Sequence, residues 1–294
     1  MPFAVACLGI ALFTGMDTAM KGLSLALGAY SAMLWRQLLS TSFAAPGYLL
    51  TRHAWPGRKA MGFHLRRGFI GACMAVAWFY GLARMPMAEA VALSFIAPLI
   101  ALYLAHLLLG ERVSRASIIA SLLGLAGMAV LLGARLGASG ERHLDGVAAI
   151  LGSAVLYAYN LILMRQQAQV ATPQEVAFFQ NLISGGWLWL ALPVALFFKP
   201  DLLTVPEPNH WPLLALAAAL SVISLFLLSW SYGRAEAQVL VPVEYTGFVW
   251  LAMLGAIFYG ETLAWTTLVG AALIVAGCLH VARSQRKAAV EPGL

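Results

Sequence analysis

Trp78-Phe79-Tyr80-Gly81 returns 152 residues later as Trp230-Ser231-Tyr232-Gly233, and Leu109-Gly110-Glu111 returns 150 residues later as Tyr259-Gly260-Glu261. Leu123, Ala126 and Gly127 are matched by Leu273, Ala276 and Gly277, again 150 residues on. Earlier in the chain, Met20-Lys21 is matched by Met164-Arg165, and Leu38 and Ser40 by Leu182 and Ser184, at an offset of 144. Each match alone is weak in a chain rich in Leu, Ala and Gly. Their common order and narrow range of offsets make them one duplication, and a duplicated unit must be read before any single motif. The first copy occupies 1–138 and the second 139–294 of one membrane domain.

Composition says what each copy is made of. Of 294 residues, 62% are hydrophobic and only 10% are charged, where a soluble domain carries about 25% charged residues. A soluble fold needs more polar surface than this to face water, so the solvent that suits the chain is lipid. A spanning helix takes roughly 20 apolar residues. The apolar runs then predict ten helices, at about 3–22, 29–50, 67–84, 87–109, 115–135, 145–166, 174–198, 211–232, 235–259 and 263–283. Helix is the only open-ended backbone form that lipid tolerates, because lipid offers no partners to loose N–H and C=O groups. The first run follows a start without basic residues, Met1-Pro2-Phe3, and reads as a retained span rather than a cleaved signal.

Loop charge sets the orientation. One set of alternate loops holds Arg52, Arg58, Lys59, Arg66, Arg67, Arg112, Arg115, Arg165, Arg234, Arg283, Arg286 and Lys287; the other holds Lys21, Arg84, Arg135, Arg142 and Lys199. The richer set belongs in the cytoplasm, which places both termini there. Five spans per copy is an odd number, so the second copy enters the bilayer from the opposite side. The fold class is therefore all-α and polytopic, with ten transmembrane helices in two inverted five-helix repeats. The net charge of +6 reads as topology control rather than as a nucleic-acid surface. Cys7, Cys73 and Cys278 lie in apolar runs without zinc-ligand spacing and read as small core residues.

Ten spans in a five-plus-five inverted repeat resemble the drug/metabolite transporter superfamily, in particular its EamA-type members. Gly110-Glu111-Arg112 and Gly260-Glu261-Thr262 are similar to that family's end-of-helix signature, as are Ala126-Gly127 and Ala276-Gly277 in the helices that follow. Length and aromatic content bring the aromatic-amino-acid exporter type nearest. The resemblance covers the full chain. It implies that the first, third, fourth, sixth, eighth and ninth helices line a central cavity, and that transport runs outward.

Polar groups inside a membrane cost free energy, so each one on those spans asks for a reason. Ser153, Tyr157 and Asn160 share one face of span six at i, i+4 and i+7, either as a wet stripe or as interhelical glue. Ser221, Ser224 and Ser231 do the same on span eight. The aromatic pair Trp230 and Tyr232 and its repeat mate Trp78, Phe79 and Tyr80 stand either as cavity walls or as interfacial belts. Glu244 and Tyr245 follow Pro242 in span nine. A carboxylate there binds a substrate ammonium, titrates, or serves as a protonated structural group. Span four has no matching acid and offers Ser94 and Phe95 instead. Asp17, Lys21 and Arg36 form a clasp, or serve as an outer gate or a carboxylate-binding cation. Pro98 and Pro242 free backbone carbonyls and allow bends suited to alternating access. His106 and His280, near helix ends, read as structural.

The leading expectation is a secondary transporter that exports small metabolites, above all aromatic or apolar amino acids, across the bacterial inner membrane by alternating access. An exporter of cationic drugs or other metabolites is the alternative. A channel or an intramembrane enzyme is the other class: H-E-x-x-H, G-x-S-x-G and P-loop patterns are absent from the sequence, which also argues against ATP as the driving force. No cofactor, metal or nucleic acid is expected. The expected partners are a small-molecule substrate and the lipid bilayer, with the chain as a monomer.

Overall fold

The computed structural model describes residues 1–51, 54–84, 96–111, 113–133 and 144–259, together with positions 90, 93, 94, 269, 272, 273, 276 and 277. All regular structure among the described residues is helical. Nine helices reach 14 residues or more: α1 (Pro2–Leu27), α2 (Ala29–Thr51), α3 (Arg58–Leu82), α4 (Ile96–Leu109), α5 (Arg115–Gly133), α6 (Leu144–Gln167), α7 (Pro173–Phe198), α8 (Trp211–Tyr232) and α9 (Thr246–Tyr259). Phe95, most of span ten with Cys278 and His280, and the second Gly-Glu motif at 260–261 lie outside the described residues.

Local chemistry sets several of the boundaries. Thr172 starts α7 by accepting the N–H of Glu175 on its hydroxyl at 3.3 Å, with Pro173 in the first turn, a standard N-cap. The helices α1, α6 and α7, and residues Pro208–Tyr232, are long and apolar enough to cross a membrane. On α7, Leu190, Val194, Phe197 and Phe198 form a stripe between 62% and 83% exposed. Such a stripe, intolerable in water, suits lipid tails.

The first helix runs on to Leu27, five residues past the sequence expectation, and two larger differences bear on the site. Helix α3 starts at Arg58 rather than at 67, so residues read as a basic loop are helical. Span nine is not one helix. It is a helical turn, Ala237–Leu240, then a 3-10 stretch, Val241–Tyr245, and only then α9. Pro242 lacks an N–H and so cannot extend an i→i−4 ladder through this point.

The helices pack in a regular set of pairs. Helix α1 lies on α8 and α9, α2 on α7 and α8, α3 on α6 and α7, and α4 on α6. Exchanging each helix for the one five places away leaves this set unchanged. The bonds at the crossings follow the same rule. Ser40 donates to the carbonyl of Ala218 (3.5 Å) and Ser184 to that of Gly68 (2.9 Å). Ser224 donates to the carbonyl of Gly9 and Ser153 to that of Met74, both at 2.9 Å. In both sets, the partners differ in number by 144 on one side and 150 on the other, the two offsets found in the sequence. Small residues permit these close approaches: a Cβ on Gly68 would stand 2.5 Å from Ile183, and one on Gly81 would stand 2.6 Å from Ile150.

The buried apolar side chains form two clusters. One, with Leu23, Met33, Leu34, Phe79, Ile150 and Leu214, lies toward the pole where α1 ends. The other, with Ala6, Ile10, Leu161, Ile162, Leu228 and Leu240, lies toward the pole of the N-terminus. Between them polar and charged side chains interrupt the apolar interior.

Candidate functional site

A cavity of about 180 Å³ occupies that zone. Six long helices and the 3-10 stretch each contribute a hydrogen-bonding or charged side chain to its wall: Asp17 from α1, Arg36 and Gln37 from α2, Arg67 and Trp78 from α3, Ser153, Tyr157 and Asn160 from α6, Gln180, Asn181 and Ser184 from α7, Ser221 from α8, and Glu244 from the 3-10 stretch. Phe13, Met74, Phe79 and Leu225 add apolar wall, and α4 brings Ala97 and Pro98.

Four of these residues are charged. The Arg36 guanidinium donates to Ser221 Oγ at 2.8 Å and interacts electrostatically with Asp17. Arg67, only 1% exposed, donates from Nε to Asn160 Oδ1 at 3.0 Å and from Nη1 to Gln167 Oε1 at 2.8 Å. Its hydrogen-bonding partners are neutral amides; among the described residues no carboxylate forms an ion pair with it. Glu244 is held by the Tyr157 hydroxyl, which donates to its Oε2 at 2.6 Å, and no cation pairs with it among the described residues. Tyr157 and Asn160 stand three apart on one face of α6, where side chains are neighbours. One face of one helix therefore positions a carboxylate and a guanidinium, each without a counter-charge, at the same cavity.

Three further polar atoms on this wall have no hydrogen-bond partner among the described residues, Arg36 Nε, Gln37 Oε1 and Gln180 Oε1, while Trp78 faces the Asp17 carboxylate. Buried polar groups are normally hydrogen-bonded, and an orphan costs about 1–3 kcal/mol. A cluster of orphans facing one cavity marks a place where a polar ligand or water is received.

The residues singled out from sequence divide as follows. Glu244, Trp78, Phe79, Ser153, Tyr157, Asn160, Asp17, Arg36 and Pro98 reach the cavity wall. Tyr245 is buried beside Glu244 but does not line it. Ser224 works at the α1–α8 crossing, and Ser231 donates to its own helix at Leu227. Of Asp17, Lys21 and Arg36, the first and last line the cavity and Lys21 does not. Tyr80 stands at the outer rim instead of the wall: its hydroxyl donates to Asp145 (2.9 Å), Arg84 lies 3.4 Å over its ring, and Arg84 pairs with Asp145 at 3.0 Å. Trp230 likewise turns outward under Arg234, at 4.1 Å. Tyr232 is buried behind the wall. Pro242 breaks span nine and places Glu244 in the 3-10 stretch. His106 reaches the carbonyl of Glu111 at 3.1 Å, a helix-end contact.

The loop-charge reading places Arg67 among the loop cations, and the sequence reading does not single out Gln37, Gln180 and Asn181 within their apolar spans or Gln167 just past span six. A signal was present: His64, Arg67 and Gly71 recur at i, i+3 and i+7, opposite the polar run Gln180, Asn181 and Ser184 on α7.

The end-of-helix Glu111 has a defined role. Its carboxylate accepts the N–H groups of Ala237 (3.2 Å) and Gln238 (3.1 Å) at the start of the helical turn, with Arg165 at 3.5 Å. An anion at a helix N-terminus is favourable. This contact ties the ends of α4 and α6 to the broken ninth span, below the cavity.

A helical bundle with lipid-suited apolar faces around a cavity studded with polar and charged side chains fits a membrane transporter of small molecules. The chain belongs to the EamA-like transporter family, which matches it twice, over residues 2–133 and 144–283. It is 28% identical over 280 residues to the pseudopaline exporter CntI of Pseudomonas aeruginosa, covering 93% of each chain. It is 26% identical to the riboflavin transporter of Rhizobium johnstonii, covering 92% of this chain and 86% of that one. It is 27% identical to the aromatic amino acid exporter YddG of Ancylobacter novellus, covering 85% and 94%. A solved crystal structure superposes with a TM-score of 0.75 over 97% of this chain and 98% of the other, at 22% identity, a likeness of fold.

Proposed function

We propose that this protein is a secondary transporter that exports an amino-acid-like zwitterion with an aromatic or apolar side chain across the inner membrane by alternating access. One observation carries the reading. Arg67 and Glu244 face one cavity from neighbouring supports on α6, each lacking an opposite charge among the described residues. The carboxylate of an α-amino acid suits Arg67, because the guanidinium fork matches it. Its ammonium suits Glu244 beside Tyr157. Phe13, Trp78 and Phe79 supply apolar wall for the side chain. Two arginines in the wall oppose a simple cationic drug as substrate.

The proposed architecture is ten spans in two inverted repeats, 1–138 and 139–294, with both termini in the cytoplasm. Its supports are the double family match, the paired crossings and the loop charges, which still favour the N-terminal side after the buried Arg67 is set aside. Export accords with the relatives named exporters. In this plan the Glu111 contacts close the cytoplasmic pole, and the bend at Pro242 lets span nine move against α4.

The test is counterflow of labelled amino acids in liposomes holding the purified protein. The expected result is saturable exchange of aromatic or apolar amino acids, reduced by Glu244→Gln with insertion intact. Linear, unsaturable flux would make it a channel. Exchange of cationic dyes alone, or unchanged kinetics in Glu244→Gln, would overturn the assigned site.

A further inference from the structure

We infer that His64 is a proton-binding site coupled to the cavity through Gln167, so that a carboxylate ligand at Arg67 and a proton at His64 favour each other. The inference rests on the reading of Arg67 as the carboxylate site and adds a linked ion to it.

The hydrogen bonds have only one consistent reading. Arginine donates and never accepts, so the atom of Gln167 facing Arg67 Nη1 at 2.8 Å is its oxygen. The Gln167 amide nitrogen therefore faces His64 Nδ1, at 2.7 Å. That nitrogen also only donates, so Nδ1 carries no proton. The imidazole proton sits on Nε2, which donates to Glu175 Oε1 at 2.8 Å. The chain Arg67–Gln167–His64–Glu175 thus holds His64 neutral, in one tautomer. His64 and Gln167 are fully buried, and the imidazole stacks on Phe179 with ring centres 4.7 Å apart. The charged groups that face His64 among the described residues are Glu175 from α7 and Arg67 from its own helix; α6 presents the uncharged Gln167. Glu175 is 13% exposed and gives solvent protons a way in.

A second proton lands on Nδ1 and turns it into a donor against the donor of Gln167. The amide relieves this by rotating half a turn, so that its oxygen accepts from Nδ1. Its NH₂ group then faces Arg67 Nη1, donor against donor. Arg67 keeps Asn160 through Nε and has a free Nη1 for the cavity, where a ligand carboxylate takes the vacated bond. The only covalent change is one N–H bond formed at Nδ1 with a proton from solvent. Linkage is reciprocal, so the ligand raises the affinity of His64 for that proton by the same factor.

Histidine- and arginine-labelled protein in nanodiscs, titrated by NMR with and without benzoate as the carboxylate probe, tests this. The His64 signals are assigned by their loss in His64→Gln. Benzoate should perturb the Arg67 Nε signal and raise the His64 midpoint by about 0.7 pH unit, a fivefold coupling. Gln167→Leu should abolish the midpoint shift while benzoate still reaches Arg67. Gln167→Glu, which accepts from both neighbours, should raise the midpoint without benzoate. A benzoate response at Arg67 with an unmoved His64 midpoint, or a shift that survives Gln167→Leu, overturns the coupling. No response at Arg67 overturns the carboxylate site itself, and the coupling with it.

Discussion

The crossing of α1 and α8 and the crossing of α3 and α6 are built alike and furnished differently. Each is closed by a serine donating to a backbone carbonyl, Ser224 to Gly9 in one and Ser153 to Met74 in the other, at the same 2.9 Å. Each region also brings a buried arginine to the cavity. On the first side, Arg36 from α2 rests on Ser221 of α8 and faces Asp17 of α1. On the second, Arg67 of α3 rests on two amides of α6 and, among the described residues, pairs with no carboxylate. Packing followed the repeat because every crossing needs small residues and satisfied carbonyls. The charged side chains do not follow it, an asymmetry that suits the proposed substrate with its two unlike ends.

The largest expected effect breaks the second side. Arg67→Gln should lower counterflow of aromatic amino acids about 100-fold, since a hydrogen bond to a charged group is worth about 1.5–3 kcal/mol. Arg36→Gln should lower it about 10-fold, because Asp17 already answers that charge; equal losses would erase the contrast between the two arginines. Combining Arg36→Gln with Asp17→Asn should restore part of the thermal stability lost in Arg36→Gln alone, because a buried carboxylate left without its partner is costlier than the pair removed together.

Smaller effects sharpen the comparison at the level of packing. Gly68→Ala should destabilise by about 1–3 kcal/mol, read as a lower unfolding temperature in detergent, because its Cβ meets the branched side chain of Ile183. Gly22→Ala, where a Cβ meets nothing within 4 Å, should be neutral or stabilising by up to about 1 kcal/mol. The smallest effect belongs to Tyr80→Phe, which should leave transport kinetics unchanged, since Tyr80, Arg84 and Asp145 sit at the exposed rim.

Much of the fold was legible in the sequence. Run length located most of the described helices, though neither the start of α3 nor the break in span nine, and the offsets of 144 and 150 reappear in the bonds at the crossings. The candidate site was legible only where polarity interrupts an apolar helix, as at Glu244 and the stripe of Ser153, Tyr157 and Asn160. Arg67 was hidden by position. A cation next to Arg66 and just beyond a basic loop carries the topology signal, and only the extension of α3 back to Arg58 turns it inward. Tyr80 and Trp230 failed in the opposite sense: the match at an offset of 152 paired Trp78 with Trp230 and Tyr80 with Tyr232, whereas in the structure it is Tyr80 and Trp230, 150 apart, that each stand beneath an arginine at a rim. A motif match places a residue at a height along the helix but does not say which way it faces.

The central claim is that Arg67 and Glu244 hold the two ends of one zwitterion. Competition against labelled phenylalanine by phenylalanine methyl ester, which lacks the carboxylate, and by 3-phenylpropionate, which lacks the ammonium, tests it most directly. In the wild type both should compete poorly against phenylalanine itself. Arg67→Gln should abolish the discrimination against the ester and keep that against phenylpropionate, and Glu244→Gln should do the reverse. Variants that keep both discriminations, or lose both together, would contradict the assignment.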